Sequence, residues 1–186
     1  MSEPGGAVNR VLTIGHSTRP LEELIDLLRA NGVTRLVDVR TVPRSRTNPQ
    51  FNRETLPAAL AAAGIAYTHA PGLGGLRKAR ADSPNTGWRN ASFRGFADYM
   101  QTPEFTAALD ALIAVARLDR VALMCAEAVP WRCHRSMIAD ALTVRGVPVA
   151  HLIGAEPPRP HHLTPFAVVH GTAITYPATD APREGE

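Results

Sequence analysis

The chain is poor in cysteine, nearly devoid of lysine and thin in aromatics, and each shortage narrows its class. Two cysteines, Cys125 and Cys133, among 186 residues cannot build the disulfide framework of a small secreted domain. They read instead as thiols of a reducing compartment, either buried or chemical. No run of eighteen apolar residues occurs, which excludes a membrane-spanning helix. The opening MSEPGGAVNR has no basic stretch ahead of an apolar core, so no secretory signal is expected and the cytoplasm is the expected location. Internal repeats are absent. GLGG at 72–75 lacks the spacing of a dinucleotide fingerprint, so nicotinamide binding is not expected and no cofactor is assigned.

What is present is an ordinary globular composition, 45% hydrophobic and 20% charged, in a length that suits one α/β domain. Lys78 is the only lysine among 20 basic residues. The arginines that make up the rest always carry charge and offer a planar fork for phosphate or carboxylate. Ten basic residues lie between 35 and 94 against Asp38, Glu54 and Asp82, so that segment is +7 within a chain of +3. Positive charge concentrated in this way predicts an anionic ligand.

Apolar runs and turn signals alternate along the chain. VLTIGH (11–16), RLVDVR (35–40), IAYTHA (65–70), RVALMC (120–125) and VPVAHLI (147–153) read as strands. LEELIDLLRANG after Pro20, RETLPAALAAAG behind Asn52, FADYM, PEFTAALDALIAVARL after Thr102, and HRSMIADALTVRG read as helices. This order predicts a single three-layer α/β domain with a mostly parallel sheet of about five strands. The expected organisation is a flexible N-terminus over 1–10, an α/β domain over 11–155, and a Pro/His-rich extension over 156–186. In that extension His161 and His162 read as solvent-exposed, TPFAVVHGTAITY as a peripheral strand, and the charged end as mobile.

Open parallel sheets bind ligands outside the carboxyl ends of their strands. That rule gathers His16-Ser17, Arg40–Arg46, His69–Gly75 and Cys125–Arg135 on one edge. The stretch CAEAVPWRCHR (125–135) is the richest in chemistry. Cys133 stands beside His134 and Arg135 at an expected helix start, where free N–H groups and positive charge favour a thiolate. Cys125 has the better topology, a strand-end cysteine ahead of a loop and an arginine. Glu127 would repel phosphate in such a loop, and suits a general base or an orienting partner for His134 or an arginine. The spacing of Cys133, His134, Glu127 and His16 matches no zinc-finger pattern, and no metal is assigned. Asp38 and Arg40 are two apart on one strand and face the same side, so they can pair. Tyr67, Trp88 and Trp131 offer rings for packing or for stacking on a base.

TIGHS (13–17), LVDVR followed by PRS (36–45), GLGG (72–75), FADYM (96–100) and CAEAVPWRCHR (125–135) resemble the domain of unknown function 488 family over about residues 11–153. The resemblance implies a small bacterial or archaeal α/β protein without an established activity. It also implies a shared site among His16, Ser17, Asp38, Arg40, Pro43, Ser45, Glu127, Cys133, His134 and Arg135. A second, weaker similarity links VDVR and MC…CHRSMIADAL to rhodanese-like domains, although the interval from Cys125 to Arg135 is longer than a rhodanese loop and Glu127 is out of place in it.

Two functional classes follow. The first is a hydrolase or transferase acting on a phosphate-bearing small molecule or nucleic acid. His16, Glu127, Cys133, His134 and Cys125 would be its catalytic candidates, and Ser17, Asp38, Arg40, Arg44, Ser45, Arg46 and Arg135 would line the substrate. The second is a non-catalytic nucleic-acid binding or sensing module using the same arginines and Trp88 or Trp131. Sulfur or phosphoryl transfer through Cys125 is a further alternative. No membrane or protein partner is expected.

Overall fold

The computed structural model describes residues 6–179. The expectations for residues 1–5 and for the charged end, 180–186, lie outside the described residues. Five parallel strands form the sheet: β1 (Val11–Gly15), β2 (Arg35–Asp38), β3 (Ala66–His69), β4 (Val121–Cys125) and β5 (Val149–Leu152). A two-residue strand β6 (Arg159–Pro160) adds antiparallel to β5, and the order across the sheet is β3-β2-β4-β1-β5-β6. The helices are α1 (Leu21–Ala30), α2 (Leu56–Ala62), α3 (Ala91–Tyr99), α4 (Pro103–Ala116) and α5 (Arg135–Thr143).

Strand alternation sorts the core into two halves. Leu12, Ile14, Leu36, Ala122 and Met124 pack with Leu24 and Leu28 of α1 and Leu56 and Leu60 of α2. Val11, Val37, Val39, Leu123 and Cys125 pack on the other face with Phe96, Phe105, Leu109, Met137 and Ile138 of α3, α4 and α5. The result is the three-layer arrangement that βα alternation predicts. The chain leaves adjacent β1 and β4 toward opposite faces, to α1 and to α5. Such a divergence opens a crevice at the carboxyl edge, the usual place for a site in this kind of sheet.

Local rules explain most element ends. Thr102 caps α4 by accepting from the Phe105 amide at 3.3 Å, with Pro103 in the first turn. Asn90 caps α3 through the Ser92 amide at 2.8 Å. Gly32, at φ 69°, takes the left-handed conformation that closes α1. The structure differs from expectation at α2, which starts at Leu56. Asn52 instead accepts from the Ser45 amide at 2.7 Å, pinning the arginine-rich loop.

The C-terminal extension also departs from the sequence reading. TPFAVVHGTAITY joins no edge of the main sheet; it makes its own hairpin, β7 (Val168–His170) with β8 (Ala173–Thr175). His162 is exposed, but His161 is not: its side chain is 6% exposed and hydrogen-bonds inside the fold. A buried carboxylate, Asp140, provides the partner that a Pro/His-rich stretch gave no reason to expect.

Candidate functional site

Backbone pairing carries the strand ladders past their ends. The His16 amide donates to the Cys125 carbonyl at 2.9 Å and the Ser17 amide to Ala126 at 3.0 Å. The Val39 amide donates to Met124 at 3.0 Å. The loops after β1, β2 and β4 are thereby held against one another, and two buried polar clusters form on this edge.

The first cluster lies on the α1–α2 side. Arg40 clasps Asp38 with two hydrogen bonds, Nε to Oδ1 at 2.9 Å and NH2 to Oδ2 at 2.7 Å. Its NH2 also donates to the Phe51 carbonyl at 2.7 Å, and NH1 stands 3.4 Å from His16 Nε2. The Tyr67 hydroxyl donates to Asp38 Oδ2 at 2.6 Å. Burial, and then the Asp38 carboxylate beside it, push the Tyr67 phenol upward. His16 Nδ1 lies 2.9 Å from the Ser17 carbonyl, so that nitrogen carries the proton and Nε2 presents its lone pair to Arg40. Burial, with Arg40 as a further cause, lowers the His16 pKa below its ordinary value of 6.5. The pairing of Asp38 with Arg40 is as their spacing suggests. Nε and NH2 of this guanidinium are occupied within the protein and NH1 faces His16, which leaves it little to offer an outside anion.

The second cluster lies on the α3–α5 side, where the 125–135 loop turns into α5. His134 Nε2 is 3.0 Å from the Val39 carbonyl. A carbonyl only accepts, so Nε2 holds the proton and the lone pair of the neutral ring is on Nδ1. That lone pair faces Cys133 Sγ at 3.5 Å. The Arg135 amide donates to the same sulfur at 3.5 Å. Burial raises the Cys133 thiol, but Cys125, the His134 ring and the Arg135 guanidinium outweigh it and hold the group well below its usual range. Cys125 goes the other way, pushed up by burial and then by its neighbour Cys133. The two thiols are therefore unlike: the Cys133 thiol is shifted down and the Cys125 thiol up.

Arg135 is wholly buried and, among the described residues, pairs with no carboxylate. NH2 donates to the Glu127 carbonyl at 2.8 Å and NH1 to Thr13 Oγ1 at 3.1 Å, while Nε has no partner. Glu127 thus enters the site through its backbone, and its side chain is exposed at the rim. Gly15 makes this approach possible, because a Cβ there would collide with the Glu127 carbonyl.

The loops after β2 and β4 carry exposed arginines and apolar groups together. Arg44, Arg46 and Arg132 are exposed, Arg44 in an ion pair with Glu54. Val42, Leu76 and Trp131 are more than half exposed, at 58%, 72% and 57%. The Leu76 amide donates to Thr41 Oγ1 at 3.2 Å, and Gly75 lies against the His134 ring, which joins these loops. Ser45 is spent on the loop itself, its hydroxyl accepting from the Asn48 amide at 3.0 Å. Ser17 is the one non-glycine with positive φ among the described residues, at 47°. Trp88 is buried amid Phe93, Phe166 and Tyr176, away from any stacking role.

The structure brings His16, Asp38 and Arg40 together, and Cys125, Cys133, His134 and Arg135 together, on opposite flanks of one sheet edge. The sequence reading passed over Phe51, Thr13, Asp140 and His151. The last three were visible as polar residues inside otherwise apolar segments, VLTIG of β1, the α5 run and VAHL of β5. Among the described residues, no group of three or more His, Cys, Asp or Glu is placed to hold a metal ion, and no helix is long and apolar enough to cross a membrane.

No curated protein and no solved structure matches the chain. The family described as Domain of unknown function DUF488 matches it over residues 20–142, from the residue ahead of α1 into the last turn of α5. That span takes in both polar clusters apart from Thr13, Gly15, His16 and Ser17, and the chain belongs to this family.

Proposed function

We propose that the protein is a cysteine-dependent hydrolase or transferase acting on a phosphate-bearing substrate, with Cys133 as nucleophile and His134 as its base. The observation that carries this reading is the Cys133–His134 pair: the Val39 carbonyl fixes the ring's tautomer, and the free Nδ1 faces Sγ at 3.5 Å. This is the arrangement by which an imidazole activates a thiol. The thiol proton passes to Nδ1, the sulfur attacks phosphorus, and an S–P bond forms as the P–O bond to the leaving group breaks. The imidazolium returns its proton to the departing oxygen. Water or an acceptor hydroxyl, deprotonated by His134, then displaces the sulfur and restores the thiolate.

The rim supports the substrate class. Arg44, Arg46 and Arg132 supply exposed guanidinium groups for phosphate, and exposed Trp131 supplies a ring for a base. Cys125 is the weaker nucleophile because its thiol is pushed up, whereas that of the equally buried Cys133 is lowered. A non-catalytic nucleic-acid reader is the second reading, favoured by the same exposed Trp131 beside Arg132. It leaves the Cys133–His134 pair without a use.

Two measurements test the proposal. Iodoacetamide should modify native Cys133 ahead of Cys125, with a pH–rate profile whose midpoint falls below that of a free thiol. A panel of nucleotides, phosphomonoesters and single-stranded oligonucleotides should include one that is turned over, with turnover lost in Cys133→Ser and kept in Cys125→Ser. An ordinary thiol midpoint for Cys133 overturns the nucleophile assignment. Oligonucleotide binding without turnover, undiminished in Cys133→Ser, establishes the binding module instead.

A further inference from the structure

Arg135 and Asp140, both on α5 and both wholly buried, are joined by an unbroken line of hydrogen bonds that crosses the sheet edge and enters the C-terminal extension. Arg135 NH1 donates to Thr13 Oγ1 at 3.1 Å. Thr13 Oγ1 lies 2.6 Å from His151 Nδ1, His151 Nε2 lies 2.8 Å from His161 Nδ1, and His161 Nε2 lies 2.8 Å from Asp140 Oδ1. The guanidinium can only donate and the carboxylate only accept. With both rings neutral, each link then has one available direction. Thr13 accepts from Arg135 and donates its hydroxyl proton to His151 Nδ1. His151 donates from Nε2 to His161 Nδ1, and His161 donates from Nε2 to Asp140.

We propose that His151 and His161 are positioning residues that tie the C-terminal extension to the thiol site, by connecting Asp140 to Arg135 through this one-way chain. The proposal rests on the reading of Cys133 as the nucleophile. The Arg135 guanidinium is one of the charges acting on that sulfur, the Arg135 amide donates to it, and among the described residues the side chain meets no carboxylate and its Nε lacks a partner. A buried guanidinium with so few anchors depends on each one for its place. Of its two side-chain anchors, the Glu127 carbonyl belongs to the loop and Thr13 Oγ1 belongs to the chain.

Asp140 is well built for the far end. Oδ1 also accepts from the Thr164 amide at 3.1 Å, and Oδ2 accepts from the Thr164 hydroxyl at 2.7 Å and the Tyr176 hydroxyl at 2.8 Å. His161, Thr164 and Tyr176 all belong to the extension, so one carboxylate fastens it at three points. Burial first, and the Arg135 guanidinium as a further cause, lower the His151 pKa below its ordinary value. That ring therefore stays neutral, as the chain requires.

The experiment has a spectroscopic arm and a chemical arm, both on the full chain. Long-range proton–nitrogen spectra at pH 8 should show His151 and His161 as Nε2–H tautomers. An Nδ1–H tautomer at either ring breaks the one-way chain and overturns the proposal. In the chemical arm, His161→Leu cuts the chain, while His161→Gln keeps an acceptor and a donor at similar separation. The iodoacetamide rate of Cys133 at pH 7 should fall several-fold in His161→Leu, with its pH midpoint moved upward, and His161→Gln should restore most of the rate. Equal Cys133 profiles in wild type and a folded His161→Leu overturn the coupling. If His161→Leu fails to fold, His161→Phe, which keeps a ring without nitrogens, takes its place, and Tyr176→Phe, which leaves the chain intact, is the structural control: a Cys133 profile moved no further in His161→Phe than in Tyr176→Phe also overturns it. An ordinary thiol midpoint in wild type defeats the proposed function, while the tautomer spectra still decide the direction of the chain.

Discussion

The ring of His16 lies stacked on that of Phe51, centroids 4.4 Å apart and planes 24° apart. The same Phe51 accepts from Arg40 through its carbonyl. One residue from the arginine-rich loop thus shields His16 from water and anchors the guanidinium beside it. Phe51→Ala should cost about 3–5 kcal/mol in urea unfolding, as for other buried phenylalanines. In the folded variant the His16 pKa should rise toward 6.5, because burial is the main cause of its lowering; proton NMR titration of the ring reads this directly.

Asp38 balances a guanidinium that has almost no access to water; the two side chains are 0% and 6% exposed. Removing one member of a buried pair strands the other's charge. Asp38→Asn should therefore destabilise by about 3–5 kcal/mol. Tyr67→Phe removes a single hydrogen bond to Asp38 and should cost only about 1 kcal/mol. The double change Asp38→Asn with Arg40→Met should recover part of the loss. Denaturant midpoints of the four proteins check the order, and equal effects of Asp38→Asn and Tyr67→Phe would contradict it.

The layer order was readable because local signals agree with the global pattern. Alternating apolar runs, Pro20 and Pro103 ahead of helices, and Gly32 behind one all point to βα repetition. The carboxyl-edge rule then placed the His16, Arg40 and Cys133–Arg135 loops together without knowledge of strand order. Periodicity says nothing, however, about which polar groups find each other across the fold. Arg40 looked like an anion holder because a free arginine and one locked to Asp38 and the Phe51 carbonyl have the same letter. His161 looked exposed because its partner, Asp140, lies 21 residues earlier on α5. A polar residue in an apolar segment, such as Asp140 in SMIADAL or His151 in VAHL, was the available clue that a buried network existed.

Acid should destabilise the protein in a defined window. His151 is held at about 3 in the folded chain and His16 is lowered as well, whereas unfolded histidine titrates near 6.5. Below about pH 6.5 the unfolded state binds protons that the folded state refuses, so stability falls as pH falls. For His151 the slope is roughly 1.4 kcal/mol per pH unit, continuing until the pH nears the folded value. Urea unfolding at pH 7.5 and pH 5 should differ by about 2 kcal/mol less in His151→Gln, whose side chain cannot charge. An unchanged difference would show that His151 titrates normally in the fold.

Gly75 offers the most direct control over the thiol site from outside it. A methyl group there would come within 2.6 Å of His134 Nδ1, 2.9 Å of Cγ and 3.0 Å of Cε1. The imidazole has little room to yield, since Nε2 is held by the Val39 carbonyl and the ring packs against Phe96 at 5.1 Å. Relief requires the ring to turn away from Cys133 or the GLGG loop to lift, and either change opens the 3.5 Å approach of Nδ1 to Sγ. Overpacking of this kind costs about 1–3 kcal/mol, so Gly75→Ala should remain folded. Its Cys133 alkylation rate at pH 7 should nevertheless fall by roughly tenfold, the equivalent of about 1.4 kcal/mol in the barrier. Gly154→Ala is the matched control, because a Cβ there meets nothing within 4 Å, and it should alkylate like the wild type. Full reactivity in a folded Gly75→Ala protein would mean that the thiol does not depend on His134. The depressed Cys133 would then rest on Cys125, Arg135 and the start of α5.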